Sequence, residues 1–301
     1  MSSQTRHKVS EEILPIHKEL QRNAENECIV SSVDTPKKKK KKGKWWWKKK
    51  KKKSELPSDP QLFTIPDEAL VPYVMNLQLR LSEDKLRGLL PYLQNFFTEK
   101  QIQQGIRQYR LGCVHKDRVL FPFFDIEGRL RIMKVIRYDD MGHRKKNGIS
   151  SSHSFLKEDG IIPPQWKERD CLFGEHLLNK HPDLPVIIVE SEKTALVGAM
   201  LMPSYLWLAT AGCGHFREVG LVKEQLNSRT TYILPDKGQY DNWTKDAKKY
   251  QIKGRVLDFI EKMEVERNTD IADLFLSDKR DYYVEEFAKY LSSMEQIELA
   301  E

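Results

Sequence analysis

The sequence is poor in the features that would take it out of a reducing, aqueous compartment. Its four cysteines, Cys28, Cys113, Cys171 and Cys213, are scattered along 301 residues with no Cys-x-x-Cys pair, which argues against a zinc ribbon or a disulfide framework. Isolated thiols fit a reducing compartment. No run approaches the roughly 18 apolar residues of a membrane span, and the opening Met-Ser-Ser-Gln-Thr-Arg-His-Lys lacks the apolar region of a signal peptide. The expectation is a cytoplasmic protein with no membrane partner. With 39% hydrophobic and 32% charged residues, the chain can bury the cores of two modest domains, or of one domain carrying a long tail.

Acidic residues are missing from one stretch. Residues 37–53 hold 13 lysines and no acid, so taking them from the chain's net charge of +7 leaves −6 for everything else. Such a segment repels itself and has almost nothing to bury, so residues 1–65 are expected to form a disordered tail. Within it Lys44, Trp45, Trp46, Trp47 and Lys48 combine charges that displace counterions from phosphates with flat faces on which unpaired bases stack. A nucleic-acid clamp and a solvated low-complexity linker are both consistent with this composition. Ahead of it, a short helix capped by Ser10 is expected within residues 10–30. After it, Pro57, Pro60, Pro66 and Pro72 mark an extended connector, and the folded region is expected to start near residue 66.

Residues 66–180 read as an α+β region. Segments opening at Asp67, Ser82 and Thr98 begin with acids or hydroxyls and continue with helical spacing, which predicts three short helices. From Arg118 to Tyr138 the period changes to that of two strands joined at Glu127-Gly128. Arg129, Arg131, Lys134 and Arg137 alternate with apolar residues on the second strand. They predict a basic face, either a track for a nucleic-acid backbone or an ordinary solvated face.

Residues 181–295 alternate strand and helix: strands at 186–190, 205–210, 230–236 and 255–260, helices at 192–201, 217–226, 241–250 and 278–294. This rhythm predicts an α/β fold, a parallel sheet with crossover helices. Two strands end on carboxylates, Val-Ile-Ile-Val-Glu190 and Thr-Tyr-Ile-Leu-Pro-Asp236. In a parallel sheet both emerge at the carboxyl edge, where such folds bind ligands. Taken singly, Glu190 is an ordinary strand-end residue beside Lys193 and Asp236 a turn former; together they predict a Mg²⁺ and phosphate site. Gly212 and Gly214 allow close approach to a phosphate, or simply make a tight turn. Lys193 is a candidate phosphate contact or a surface ion pair, and His215 reads as a surface residue rather than a ligand.

Three ordered segments resemble a known family. Val189-Glu190-Ser191-Glu192-Lys193-Thr194-Ala195-Leu196, Ala209-Thr210-Ala211-Gly212-Cys213-Gly214 and Leu234-Pro235-Asp236 are similar to the signature segments of the Toprim domain of DnaG-type primases, topoisomerases and related nucleases. Arg118–Arg129 resembles the hairpin of the DnaG-type core, Cys171–Leu178 the segment leading into its Toprim part, and Asp270-Ile-Ala-Asp-Leu-Phe-Leu the acidic motif after it. The resemblance covers about residues 80–290 and is greatest to primase-like proteins of plasmids and conjugative elements.

It implies a DNA-replication protein performing Mg²⁺-dependent nucleotidyl transfer, with Mn²⁺ as the alternative ion and no zinc. Its implied partners are single-stranded DNA or a primer-template, nucleoside triphosphates and a replicative helicase. Glu190 and Asp236 are then the catalytic pair, Asp241 joins them as a metal ligand, and Asp270 with Asp273 forms a second metal pair or a helix cap. Two departures stand out. The usual Asp-x-Asp is Asp236-Lys237-Gly238 here, which removes one ligand and adds a positive charge. The zinc module that precedes such cores has no counterpart, and the Lys/Trp tract stands in its place. A DNA-binding module without turnover and a Toprim nuclease therefore remain as alternatives.

Overall fold

The computed structural model describes residues 64–298, apart from 152, 169 and 213. All belong to one compact unit, Asp59–Glu301. The helix expected within 10–30, the Lys/Trp tract with Lys44, Trp45, Trp46, Trp47 and Lys48, and most of the proline-rich connector lie outside the described residues.

After a short 3-10 turn at Asp67–Leu70, three helices form: α1 (Val71–Ser82), α2 (Leu89–Leu93) and α3 (Glu99–Tyr109). Pro72 sits in the first turn of α1, where a missing N–H costs nothing. Thr98 and Gln101 cap α3 reciprocally, each side chain accepting the other's backbone N–H. An antiparallel sheet follows, β1 (Gly112–His115), β2 (Arg118–Phe124), β3 (Leu130–Tyr138) and β4 (Arg144–Ser151), in that order across the sheet. The turn between β2 and β3 falls at the expected place, with Gly128 at φ 78° and its N–H donating to the Asp125 carbonyl. The sequence reading missed both outer strands. In β4, Arg-Lys-Lys-Asn-Gly-Ile-Ser-Ser is largely exposed, so an edge strand carries no apolar alternation to reveal it.

The basic face expected on β3 is corrected by its packing. Leu130, Met133 and Val135 join a cluster with Leu70, Tyr73 and Trp166, while Ile132, Ile136 and Tyr138 join the main core. Both faces of the strand are therefore covered; Arg131 is buried and Lys134 largely so, while Arg137 stays 44% exposed beside Asp117.

After α4 (His153–Glu158) and α5 (Leu177–Lys180), strands and helices alternate as predicted. They are β5 (Val186–Val189), α6 (Glu192–Leu201), β6 (Leu206–Ala209), α7 (Arg217–Leu221), α8 (Lys223–Asn227), β7 (Thr231–Ile233), α9 (Tyr240–Tyr250), β8 (Arg255–Val256), α10 (Ile271–Phe275) and α11 (Arg280–Glu298). The four strands are all parallel, in the order β6-β5-β7-β8. The molecule is thus a mixed α/β fold with a parallel sheet and crossover helices. Val186–Val189, buried throughout, is the central run that a doubly covered sheet requires. Gly198 lets α6 lie directly on β6, since a Cβ there would stand 2.2 Å from the Trp207 ring. The main core runs without a break from Leu77 to Leu291 through both sheets. Among the described residues no helix is long and apolar enough to cross a membrane.

Candidate active site

The strand order creates a switch point. From β5 the chain crosses to β6 on one side and then to β7 on the other, which opens a crevice at the carboxyl ends of β5 and β7. Glu190 follows β5 and Asp236 follows β7, on strands that are direct neighbours. The Leu234 N–H donates to the Ile188 carbonyl at 2.8 Å, carrying the pairing toward both acids.

A second piece of backbone completes the group. Lys237 N–H donates to the Thr269 carbonyl at 3.0 Å, and Asn268 N–H to the Lys237 carbonyl at 3.1 Å, so the segment ending in Asp270 runs beside the segment beginning with Asp236. Burial comes first, then the charges of Asp270, Glu190 and Asp273, in pushing the Asp236 carboxyl from 3.8 up to about 9. Burial also raises Asp270. Lys193 acts against the shift but does not offset burial and the three acids together.

Asp270 and Asp273, expected as a separate pair, thus stand in the same acidic group. They also cap α10, Asp273 N–H donating to Asp270 Oδ1 at 2.8 Å and Asp270 N–H to Asp273 Oδ2 at 3.2 Å. Thr194, in the first turn of α6, donates through Oγ1 to Asp270 Oδ2 at 2.8 Å. The sequence reading assigned Thr194 no role.

Lys193 is the cation of the group. Its Nζ lies 3.0 Å from Asp273 Oδ1 and 3.9 Å from Asp270 Oδ2. Burial favours its neutral form, but these two carboxylates outweigh that and hold its pKa above the ordinary value. Lys237, expected to compete for the acids, turns away. Its Nζ donates to the carbonyls of Glu261 at 2.7 Å and Met263 at 2.6 Å. Asp241 stands exposed in the first turn of α9.

The glycine loop borders the acids. Thr210 Oγ1 donates to the Gly212 carbonyl at 3.1 Å and lies 3.5 Å from the Glu190 carbonyl. Ala211 and Gly212 both have positive φ, 66° and 146°. A Cβ at Gly214 would meet nothing within 4 Å, so this backbone is open to a ligand.

Residues 88–237 match a family model described as a domain of unknown function, DUF6371. No curated protein matches. Similar solved structures include the zinc-binding and RNA polymerase domains of the Aquifex aeolicus primase, at 14% identity over 77% of this chain and 60% of that one, with a TM-score of 0.46. The E. coli primase catalytic core is similar at 15% identity over 75% of this chain and 79% of that one, TM-score 0.40. The primase fragment of the bacteriophage T7 primase-helicase is similar at 17% identity over 61% and 69%, TM-score 0.41.

Arg129, Arg131, Lys134 and Arg137 are each paired with an acid of the protein, Arg137 through Nε at 2.6 Å from Asp117 Oδ2 while 44% exposed. Arg131 is 1% exposed, its Nε 2.6 Å from Asp125 Oδ2 and its Nη1 donating to Thr64 Oγ1 at 3.1 Å. Arg129 pairs with the same Asp125 carboxylate at 2.9 Å and also with Glu127. Lys134 reaches across to the parallel-sheet region, where its Nζ lies 2.6 Å from Glu192 Oε1 and donates to the Ala211 carbonyl at 3.2 Å. A row of cations on a strand signals nucleic acid only where acids have not already claimed it.

Proposed function

We propose that this protein is a primase-like nucleotidyltransferase acting on single-stranded DNA, with Mg²⁺ as its metal. The supporting observation is the carboxylate group around Asp236, whose pKa is pushed up to about 9 first by burial and then by the charges of Asp270, Glu190 and Asp273. A set of carboxylate oxygens suits Mg²⁺, which takes oxygen ligands and keeps several of its waters. Asp236 and Asp270 would hold it, which leaves Glu190 as the base. When bound, Mg²⁺ supplies neutralisation of the charge on the nucleotide phosphates.

The remaining work falls to the chain. Glu190 accepts the proton of a primer 3′-hydroxyl as that oxygen bonds to the nucleotide α-phosphorus. The bond from the α-phosphorus to the bridging oxygen breaks, and pyrophosphate leaves with its electron pair. The open backbone at Gly212 and Gly214 lies against phosphate, and Lys193 balances charge at the Asp270 side. Thr194 and the cap of α10 fix Asp270 in place, so the acids are positioned before substrate arrives. In this reading the Lys/Trp tract grips the template, and the protein serves replication of a plasmid or conjugative element beside a helicase.

One observation favours a second reading, a DNA-binding module without turnover: Lys193 already pairs with Asp270 and Asp273, leaving fewer acids for an ion. Primer synthesis on single-stranded DNA with Mg²⁺ and ribonucleotides separates the two. The proposal expects product, reduced by about 10²–10⁴-fold in Glu190→Gln with DNA affinity kept. DNA binding with no primer formed would overturn it, and cleavage of labelled DNA without nucleotides would mark a nuclease.

A further inference from the structure

Asp170, His215 and Glu218 form a second cluster, outside the Asp236 group. The antiparallel bridge between Phe173 and Ala209, with N–H to carbonyl distances of 2.9 and 3.1 Å in both directions, lays the segment containing Asp170 beside the chain leaving β6. His215 and Glu218 are three residues apart at the entry to α7, and Glu218 N–H donates to the His215 carbonyl at 3.2 Å, so their side chains share one face. One ligand atom from each of Asp170, His215 and Glu218 lies within 4.8 Å of the others.

An independent observation points to a ligand. Glu218 is 3% exposed, yet its Oε2 is fully buried without a hydrogen-bond partner. A buried carboxylate oxygen with no donor is costly unless a cation or proton meets it.

We propose that Asp170, His215 and Glu218 bind one zinc-class divalent cation. One imidazole and two carboxylates make a mixed N/O set suited to Zn²⁺. Tetrahedral ligand atoms around zinc lie about 3.5 Å apart, so the side chains must close by roughly an ångström, which exposed His215 and half-buried Asp170 are free to do. Three protein ligands leave a coordination position for water or a phosphate oxygen. The ion would pin the segment of Asp170 to the loop that carries Gly212 and Gly214, and that loop is tied by Thr210 to the backbone of Glu190. No Cys-x-x-Cys spacing announces such a site, because its ligands come from segments 45 residues apart in the sequence.

The test uses the full chain, stripped with chelator and then dialysed against Zn²⁺ with excess Mg²⁺ present. Bound zinc is counted by atomic emission in the wild type, His215→Gln, Glu218→Gln and Asp236→Asn, with circular dichroism confirming that each is folded. The proposal expects one zinc per chain that is lost in His215→Gln and Glu218→Gln, with affinity weakened by about 10- to 100-fold or more, and kept in Asp236→Asn. Co²⁺ should give d–d absorption without thiolate charge transfer, abolished by His215→Gln. Equal zinc content and an unchanged cobalt spectrum in folded His215→Gln, or no zinc retained by the wild type, would overturn it. Because Asp236→Asn disables only the other acid group, a failure here leaves the nucleotidyl-transfer reading untouched.

Discussion

Lys134 and Glu192 meet 2.6 Å apart, Nζ to Oε1, with side chains only 16% and 4% exposed. One belongs to the antiparallel sheet and the other to the first turn of the helix after Glu190, so this ion pair joins the two halves of the folded unit. Lys134 also holds the Ala211 carbonyl, and through it the glycine loop. A residue that reads in sequence as part of a nucleic-acid track therefore acts as an internal strut.

Removing one partner of a buried pair leaves a charge without compensation. Lys134→Ala is expected to destabilise the protein by about 3–5 kcal/mol, and the double substitution Lys134→Met, Glu192→Met to recover most of that loss. Urea unfolding of the single and double variants measures both. A loss under about 1 kcal/mol, typical of an exposed pair, would show that the strut carries no weight.

Arg131 makes a contrasting case on the same strand. Its guanidinium is buried against Asp125, so Arg131→Met is expected to cost about 3 kcal/mol of stability and to leave the single-strand affinity of the folded protein and its salt dependence unchanged. Asp125 keeps its bond from Arg129 Nε, which places the cost at the low end. A salt slope made shallower by this substitution would restore the sequence-based view of the strand as a phosphate track.

The Asp236 group should be legible in a pH profile. Its folded pKa of about 9 stands above the ordinary 3.8, so between these values the folded state holds a proton that the unfolded chain has released. The stabilisation is complete below about pH 4 and is lost as pH rises toward 9. Asp270 shifts in the same direction. In the absence of divalent ions, Asp236→Asn should gain on the wild type with rising pH, by on the order of 1 kcal/mol or more. Urea unfolding at mildly acidic and mildly alkaline pH, with chelator, checks the sign. A difference that does not change with pH would mean that Asp236 is neither buried nor crowded by the other acids as described.

The tract from 37 to 53 is expected to carry template affinity. Deleting its 13 lysines should weaken single-strand binding and make the slope of log affinity against log salt shallower by about 0.7 for each lysine engaged, up to about 9. Fluorescence anisotropy across a salt series reads this directly. Unchanged affinity and slope would reduce the tract to a linker.

Strong local signals and long-range ones differed in how well the sequence displayed them. Helix α6, at Glu192–Leu201, has the bounds expected for it because Ser191 caps it and apolar residues fill it. The strand ending near Asp236 is visible from Thr-Tyr-Ile-Leu-Pro-Asp, although its ladder stops at Ile233. The helix expected over 217–226 breaks at Val222, whose φ of −114° and ψ of 23° separate α7 from α8. Glu190 and Asp236 are legible because two adjacent parallel strands deliver them to one edge. The approach of Asp270 is not, since it depends on Lys237 pairing with Thr269 across 32 residues. The burial of Arg131 is not legible either, because alternation reports which residues share a face, while Asp125, the acid that meets it there, belongs to the preceding turn.

Calorimetric titration of Mg²⁺ into the full-length protein and Asp236→Asn, at near-neutral pH without nucleotide, tests the central claim most directly. The account predicts saturable binding to the wild type, accompanied by proton release that scales with the ionisation heat of the buffer, and loss of both in Asp236→Asn. Equal Mg²⁺ binding by the two proteins, or none by the wild type, would contradict it.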